Sequence, residues 1–264
     1  MNSIYEQLLF TTLRIKSTDT VGRTSIGTGF LLNRPIGEDQ SKMYLVSNKH
    51  ILSEAETIEI AFTKVKNGEP DIGNTVSFPL TNVKANVHEH PDSTVDIAIL
   101  ECTGLFLMYP EQLYFKFVDY GMLASFNEPE LSVAENVYFV GYPDDRYDAV
   151  NNLPLVRQGL IASHPRYDYN GHPYFIIDAQ VFPGSSGSPV YIDLTYENIK
   201  NGHIVLGSKN IKLLGIVAQT MIRNNQLQAI STSTRYFTQE VLGLGIVFKA
   251  TAIKELVDSM PTDN

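Results

Sequence analysis

Short apolar segments bounded by turns recur along almost the whole chain, in two sets of about six. In the first set they occupy 8–16, 25–32, 43–47, 58–62, 76–80 and 95–100, and the segment Ile58-Glu59-Ile60-Ala61-Phe62 alternates strictly. In the second they occupy 136–140, 155–162, 174–179, 188–192, 213–219 and 244–248. The stretch 104–130, which contains Pro110 and Pro129, breaks this rhythm and reads as a connector. Helical spacing occurs at the end, over 251–260, with Ile253, Leu256 and Val257 on one face. This order predicts an all-β fold: two six-stranded antiparallel β-barrels side by side, with a C-terminal helix. The expected division is an N-terminal barrel with its connector over 1–120, then a C-terminal barrel with the helix over 121–264. Barrels close their own sheet edges, so neither half needs a partner to cover it.

Composition narrows the function classes. At 264 residues and 43% hydrophobic, the chain has enough apolar material for two cores. It has no apolar run of membrane-spanning length and no basic-then-apolar leader, so neither a membrane association nor a secretory signal is expected. Cys102 is the only cysteine. An intramolecular disulfide is therefore impossible, which fits a reducing, cytoplasmic setting. A net charge of −9 argues against nucleic-acid binding. Two clusters carry residue types that ligate metals. Val87-His88-Glu89-His90 offers two histidines but no identifiable third ligand, and Asp144-Asp145-Arg146-Tyr147-Asp148 lacks the glycine and glutamate of a calcium loop. Neither a metal nor a cofactor is expected.

The chemistry concentrates at Phe182-Pro183-Gly184-Ser185-Ser186-Gly187-Ser188-Pro189-Val190. Glycines on both sides of Ser186 permit a tight bend that thrusts its hydroxyl outward and aims backbone N–H groups at one point. A plain loop between two strands can have the same composition. What gives the motif weight is the company it keeps. His50, in Ser47-Asn48-Lys49-His50, follows a strand and can serve as a general base near neutral pH. Asp96 opens the apolar run Asp96-Ile97-Ala98-Ile99-Leu100, where a partly buried carboxylate needs a donor such as an imidazole N–H.

With these residues in the order His, Asp, Ser, the chain resembles the chymotrypsin-like (trypsin-fold) serine proteases, most closely the bacterial HtrA-type and trypsin-like peptidases. Further similar pieces are Gly27-Thr28-Gly29-Phe30, Val137-Tyr138-Phe139-Val140-Gly141-Tyr142-Pro143, Gln158-Gly159-Leu160-Ile161 and Gly215-Ile216-Val217. The resemblance implies peptide-bond hydrolysis through an acyl-enzyme, with Ser186 as nucleophile, His50 as base and Asp96 orienting it. It implies an oxyanion hole drawn from Gly184, Ser185 and Ser186, with the N–H groups of Gly184 and Ser186 as donors. It assigns substrate binding to Gln180, Val217, Ala218 and Gln219. The implied partners are a specific protein or peptide substrate and a genome-encoded regulator or effector, such as one in a defence system. Two positions depart from the family pattern: Ser188 replaces a glycine, and Ser185 replaces the aspartate that receives a newly cut N-terminus in digestive relatives. Activation without N-terminal cleavage is therefore expected, with the loop 163–173 as the candidate control element. The rival reading is a binding module that keeps the barrels without catalysis.

Overall fold

The computed structural model describes residues 3–38, 40–109, 111–195, 199–200, 203–204, 210–228 and 235–262. The first half contains strands β1 (Thr12–Asp19), β2 (Thr24–Pro35), β3 (Ser41–Ser47), β4 (Ala55–Lys66), β5 (Glu69–Thr81), β6 (Val87–Glu89) and β7 (Ala98–Glu101). They form one sheet in the order β5-β4-β1-β2-β3-β7-β6. Two short strands join it: β8 (Leu113–Tyr114) on β4 and β9 (Val118–Asp119), parallel to β2. In the second half, β10 (Asn136–Gly141), β11 (Leu155–Ile161), β12 (Tyr174–Asp178) and β13 (Pro189–Asp193) come first. A small hairpin follows, β14 (Ile199–Lys200) with β15 (His203–Ile204), and then β16 (Ile211–Gln228) and β17 (Arg235–Lys249). Six of these close a barrel in the order β10-β11-β12-β17-β16-β13. A terminal helix, Ala250–Asp258, follows the barrel.

The apolar runs of the first half have a physical reason. Leu31, Leu45, Ala98 and Leu100 point into that half's own core with Leu13, Ile15 and Phe62. Their neighbours Phe30, Leu32, Tyr44, Val46, Ile97 and Ile99 belong to a second cluster, which also holds Val137, Phe139, Val190, Ile216 and the helix residues Ile253, Leu256 and Val257. Side chains alternate across a strand, so the stretches 30–32 of β2, 44–46 of β3 and 98–100 of β7 are apolar at every position because both faces are buried there. One face fills the first half and the other forms the seam with the second.

Several features differ from the sequence expectation. The segment 8–16 divides: Ile4–Leu8 is a short helix with a capping box from Ser3 to Glu6, and the strand begins at Thr12. Tyr5 of that helix packs its ring at a tilt against Tyr138, so the start of the chain lies on the second barrel. The connector holds a helix, Thr103–Met108, besides β8 and β9. β16 and β17 pair from Gly215↔Lys249 out to Gln228↔Arg235, far beyond the length needed to close the barrel.

Candidate active site

Every residue of Ser47-Asn48-Lys49-His50 makes its own anchoring bond. The Ser47 hydroxyl donates to the Thr28 carbonyl at 2.6 Å. Asn48 Nδ2 donates to the Asp96 carbonyl at 2.6 Å. Lys49 Nζ donates to the carbonyls of His90 and Asp92 at 2.8 and 2.9 Å, bracing the loop that leads to Asp96. His50 then meets Asp96 twice: its Nδ1 lies 2.7 Å from Asp96 Oδ2, and its backbone N–H donates to Oδ1 at 3.2 Å. The buried side chains of Val95 and Ile97 pin Asp96 from either side. A carboxylate on Nδ1 favours the tautomer that carries its proton there, leaving Nε2 as acceptor.

Phe182-Pro183-Gly184-Ser185 is a type II turn: Pro183 is second, Gly184 third with φ 84°, and Ser185 N–H donates to the Phe182 carbonyl at 3.0 Å. The carbonyls that follow are all held. Pro183 C=O accepts from Asp144 N–H at 2.6 Å, Ser185 C=O from Ser188 N–H at 3.0 Å, and Ser186 C=O from Thr28 N–H at 2.8 Å. Gly184 C=O accepts from the Thr28 hydroxyl at 2.8 Å. Gly187 N–H donates to the Val217 carbonyl at 2.8 Å. Among the described residues this leaves the N–H groups of Gly184 and Ser186 with no acceptor. In a trans peptide the N–H points opposite to the preceding C=O. The anchored carbonyls of Pro183 and Ser185 therefore turn these two N–H groups the other way. The Ser185 N–H closes the turn, so of the three residues expected around the hole only Gly184 and Ser186 keep a free N–H among the described residues.

His50, Asp96 and Ser186 line one cleft of about 490 Å³, with Val181, Phe182, Pro183, Ala218, Gln219 and Thr220. The Ser186 hydroxyl donates to the Ala218 carbonyl at 2.9 Å. Of the four substrate-binding expectations, Ala218 and Gln219 line this cleft. Gln180 is exposed and lies outside the lining, and its neighbour Val181, buried at 2%, forms the inner wall instead. Val217 is fully buried and acts through its backbone, which bonds both Gly187 and Ser188. The insertion 193–210 lies largely outside the described residues.

Sequence reasoning missed Thr28, Asp144 and Arg14. Thr28 was visible only as part of Gly27-Thr28-Gly29. Arg14 forms a fork with Asp145, Nε to Oδ1 at 2.6 Å and Nη2 to Oδ2 at 2.9 Å. Through that hydrogen bond first, each holds the other's charge: the Asp145 carboxyl lies below the ordinary carboxylate range and the Arg14 guanidinium above its ordinary value. The loop 163–173 bonds elsewhere, Asp168 with Lys249 and Arg166 with the carbonyls of Glu128 and Pro129. His88 is exposed, while His90 is buried with its Nδ1 accepting from Asp92 N–H. Among the described residues there is no cluster of three metal-ligating side chains.

Residues 27–196 match the family model described as a trypsin-like peptidase domain. No curated protein matches by sequence. Solved structures share the fold at low identity. A scabies mite inactivated protease paralogue superposes with a TM-score of 0.53 at 14% identity, over 96% of this chain and 97% of its own. Human heparin binding protein gives 0.53 at 7%, over 96% and 92%. HL collagenase gives 0.51 at 13%, over 96% and 94%.

Proposed function

Because the chain belongs to the trypsin-like peptidase domain family, we propose that it is a serine endopeptidase cleaving a specific protein substrate through an acyl-enzyme. Ser186 attacks the scissile carbonyl, and His50 Nε2 takes its proton and returns it to the leaving amine. Asp96 holds the imidazole in the required tautomer and stabilises the imidazolium. The N–H groups of Gly184 and Ser186 receive the oxyanion. For attack, the Ser186 hydroxyl leaves the Ala218 carbonyl and donates to His50, a change between staggered rotamers. The buried, free Cys102 suits a reducing compartment, and we place the enzyme in the cytoplasm. No helix among the described residues is long and apolar enough to cross a membrane. An endopeptidase sharing a compartment with the cell's own proteins calls for a narrow substrate range or a regulatory partner.

The observation that carries this reading is the backbone arrangement around Ser186: the carbonyls from Phe182 to Ser186 are anchored, and two N–H groups remain beside a hydroxyl that shares a cleft with a His–Asp pair. A second reading, a binding module, draws support from the bond between Ser186 and Ala218 and from an inactivated protease among the structures of the same fold. Fluorophosphonate labelling of the wild type and of Ser186→Ala separates the two. The peptidase reading expects covalent modification at Ser186, its loss in the variant, and turnover of peptide esters by the wild type only. A folded wild type that neither labels nor turns over refutes it.

A further inference from the structure

We propose that Arg14 is a positioning residue for the oxyanion hole. Through Asp145 it holds the turn whose Asp144 N–H fixes the Pro183 carbonyl, and with it the direction of Gly184 N–H. This rests on the peptidase reading above.

The link begins with a conformation that does not hold itself. Asp144 and Asp145 both adopt left-handed backbone, φ 50° and φ 56°. Two such non-glycine residues in succession persist only where their surroundings over-determine them. The turn's own bonds are short-range, Asp145 N–H to Tyr142 C=O at 3.2 Å and Arg146 N–H to Pro143 C=O at 2.8 Å. Beyond the turn, Arg14 supplies the charged contact. Its planar fork fits the Asp145 carboxylate bidentately, a geometry that sets position as well as attraction. The same guanidinium lies 5.5 Å from the Tyr147 ring centroid, and Tyr147 packs edge-on against Tyr142 at 5.4 Å. Arg14 therefore holds the turn directly at Asp145 and Tyr147, and Tyr142 through the Tyr147 ring, from β1 in the other half of the molecule.

The turn touches the nucleophile loop at close range. Asp144 N–H reaches the Pro183 carbonyl at 2.6 Å, and a Cβ on Gly184 would overlap the Tyr142 carbonyl oxygen. A shift of the turn frees the Pro183 carbonyl, and the peptide can then rotate so that Gly184 N–H leaves the hole. In digestive relatives a buried charge pair on the aspartate before the nucleophile does this work. Here that position is Ser185, buried at 1% and uncharged, and the charge pair that bears on the hole joins β1 to the 142–147 turn.

The test is a double-mutant cycle of Arg14→Ala, Asp145→Ala and the pair, with Arg23→Ala as control. Arg23 makes an ion pair of the same length, 2.6 Å to Asp19, away from this turn. For a peptide ester, kcat should fall about 10- to 100-fold in each single variant, with KM within about twofold. The affinity of a peptide boronate, which forms a tetrahedral adduct, should fall by the same factor. The double variant should match the singles, because both break one link. Arg14→Lys, which keeps the charge but not the fork, should recover part of the rate. Unchanged kcat in folded Arg14→Ala, a loss confined to KM, an additive double variant, or an equal loss in Arg23→Ala would each overturn the assignment. A wild type without turnover refutes the peptidase reading, and the Arg14 assignment is then read from hydrogen exchange. Peptides covering 142–147 and 182–187 should exchange faster in Arg14→Ala than in the wild type, and equal rates overturn it.

Discussion

Thr28→Val removes one oxygen from the centre of the seam. Thr28 is fully buried, and its hydroxyl both donates to the Gly184 carbonyl at 2.8 Å and accepts from Tyr142 N–H at 3.2 Å. Valine keeps the shape but leaves both backbone groups without partners. Orphaning a buried polar group costs about 1–3 kcal/mol. The Tyr142 bond is long and contributes near the lower end, so the expected total is about 2–4 kcal/mol. Thr28→Ser keeps the hydroxyl and removes a methyl, for about 1 kcal/mol. Denaturant unfolding of the three proteins gives the stabilities, and ester hydrolysis gives the rates. With the Gly184–Ser185 peptide unpinned, Thr28→Val should lose kcat by more than tenfold with little change in KM, while Thr28→Ser stays within a few-fold of wild type. If Thr28→Val unfolds within about 0.5 kcal/mol of Thr28→Ser, or retains full kcat, the clamp is not what the bond pattern implies.

Four further outcomes follow from the same geometry. Asp96→Asn should lower kcat by about 10⁴, because an amide NH₂ facing Nδ1 imposes the wrong tautomer; steady-state kinetics on the folded variant checks this. Gly187→Ala should fail to fold or lose activity entirely, since φ is 85° and a Cβ there would overlap the Thr28 carbonyl; circular dichroism and labelling decide between these. A peptide library should show cleavage after uncharged side chains, because among the described residues Asp96, bound to His50, is the only carboxylate lining the cleft, and dominant cleavage after arginine would contradict it. For Asp145 the folded pKa is lowered, so its contribution to stability is present at neutral pH and disappears as pH falls through a value below the ordinary 3.8. Unfolding midpoints of wild type and Asp145→Asn should thus differ by a constant amount down to about pH 5 and converge toward about pH 2.

Some of this could be read from the residues alone and some could not. The apolar runs at 30–32, 44–46 and 97–100 marked strands, and the seam explains why they do not alternate: both faces are buried. The contexts of His50, Asp96 and Ser186 were local, and the structure brings all three into one cleft. What escaped notice joins distant positions: Arg14 and Asp145 are 131 residues apart, and Thr28 and Gly184 are 156 apart. No periodicity encodes such pairs. Gln180, expected to bind substrate, stays outside the cleft lining because side-chain alternation along the chain turns Val181 inward in its place. The helix Ile4–Leu8 was missed although its Ser3 and Glu6 form a recognisable cap, since the apolar run beginning at Leu8 masked it.

The double-faced strands of the first half also bear on how the chain is made. A ribosome delivers Phe30, Leu32, Tyr44, Val46, Ile97 and Ile99 well before the residues that cover them, among them Val190, Ile216 and the last helix. At bacterial or eukaryotic elongation rates of about 5–20 residues per second, that interval is on the order of ten seconds. For its duration the nascent first half presents a broad apolar wall to the cell, and Tyr5 has no Tyr138 to pack against. A chain stopped near residue 120 should therefore aggregate or bind chaperones, visible by light scattering, where the full-length chain does not.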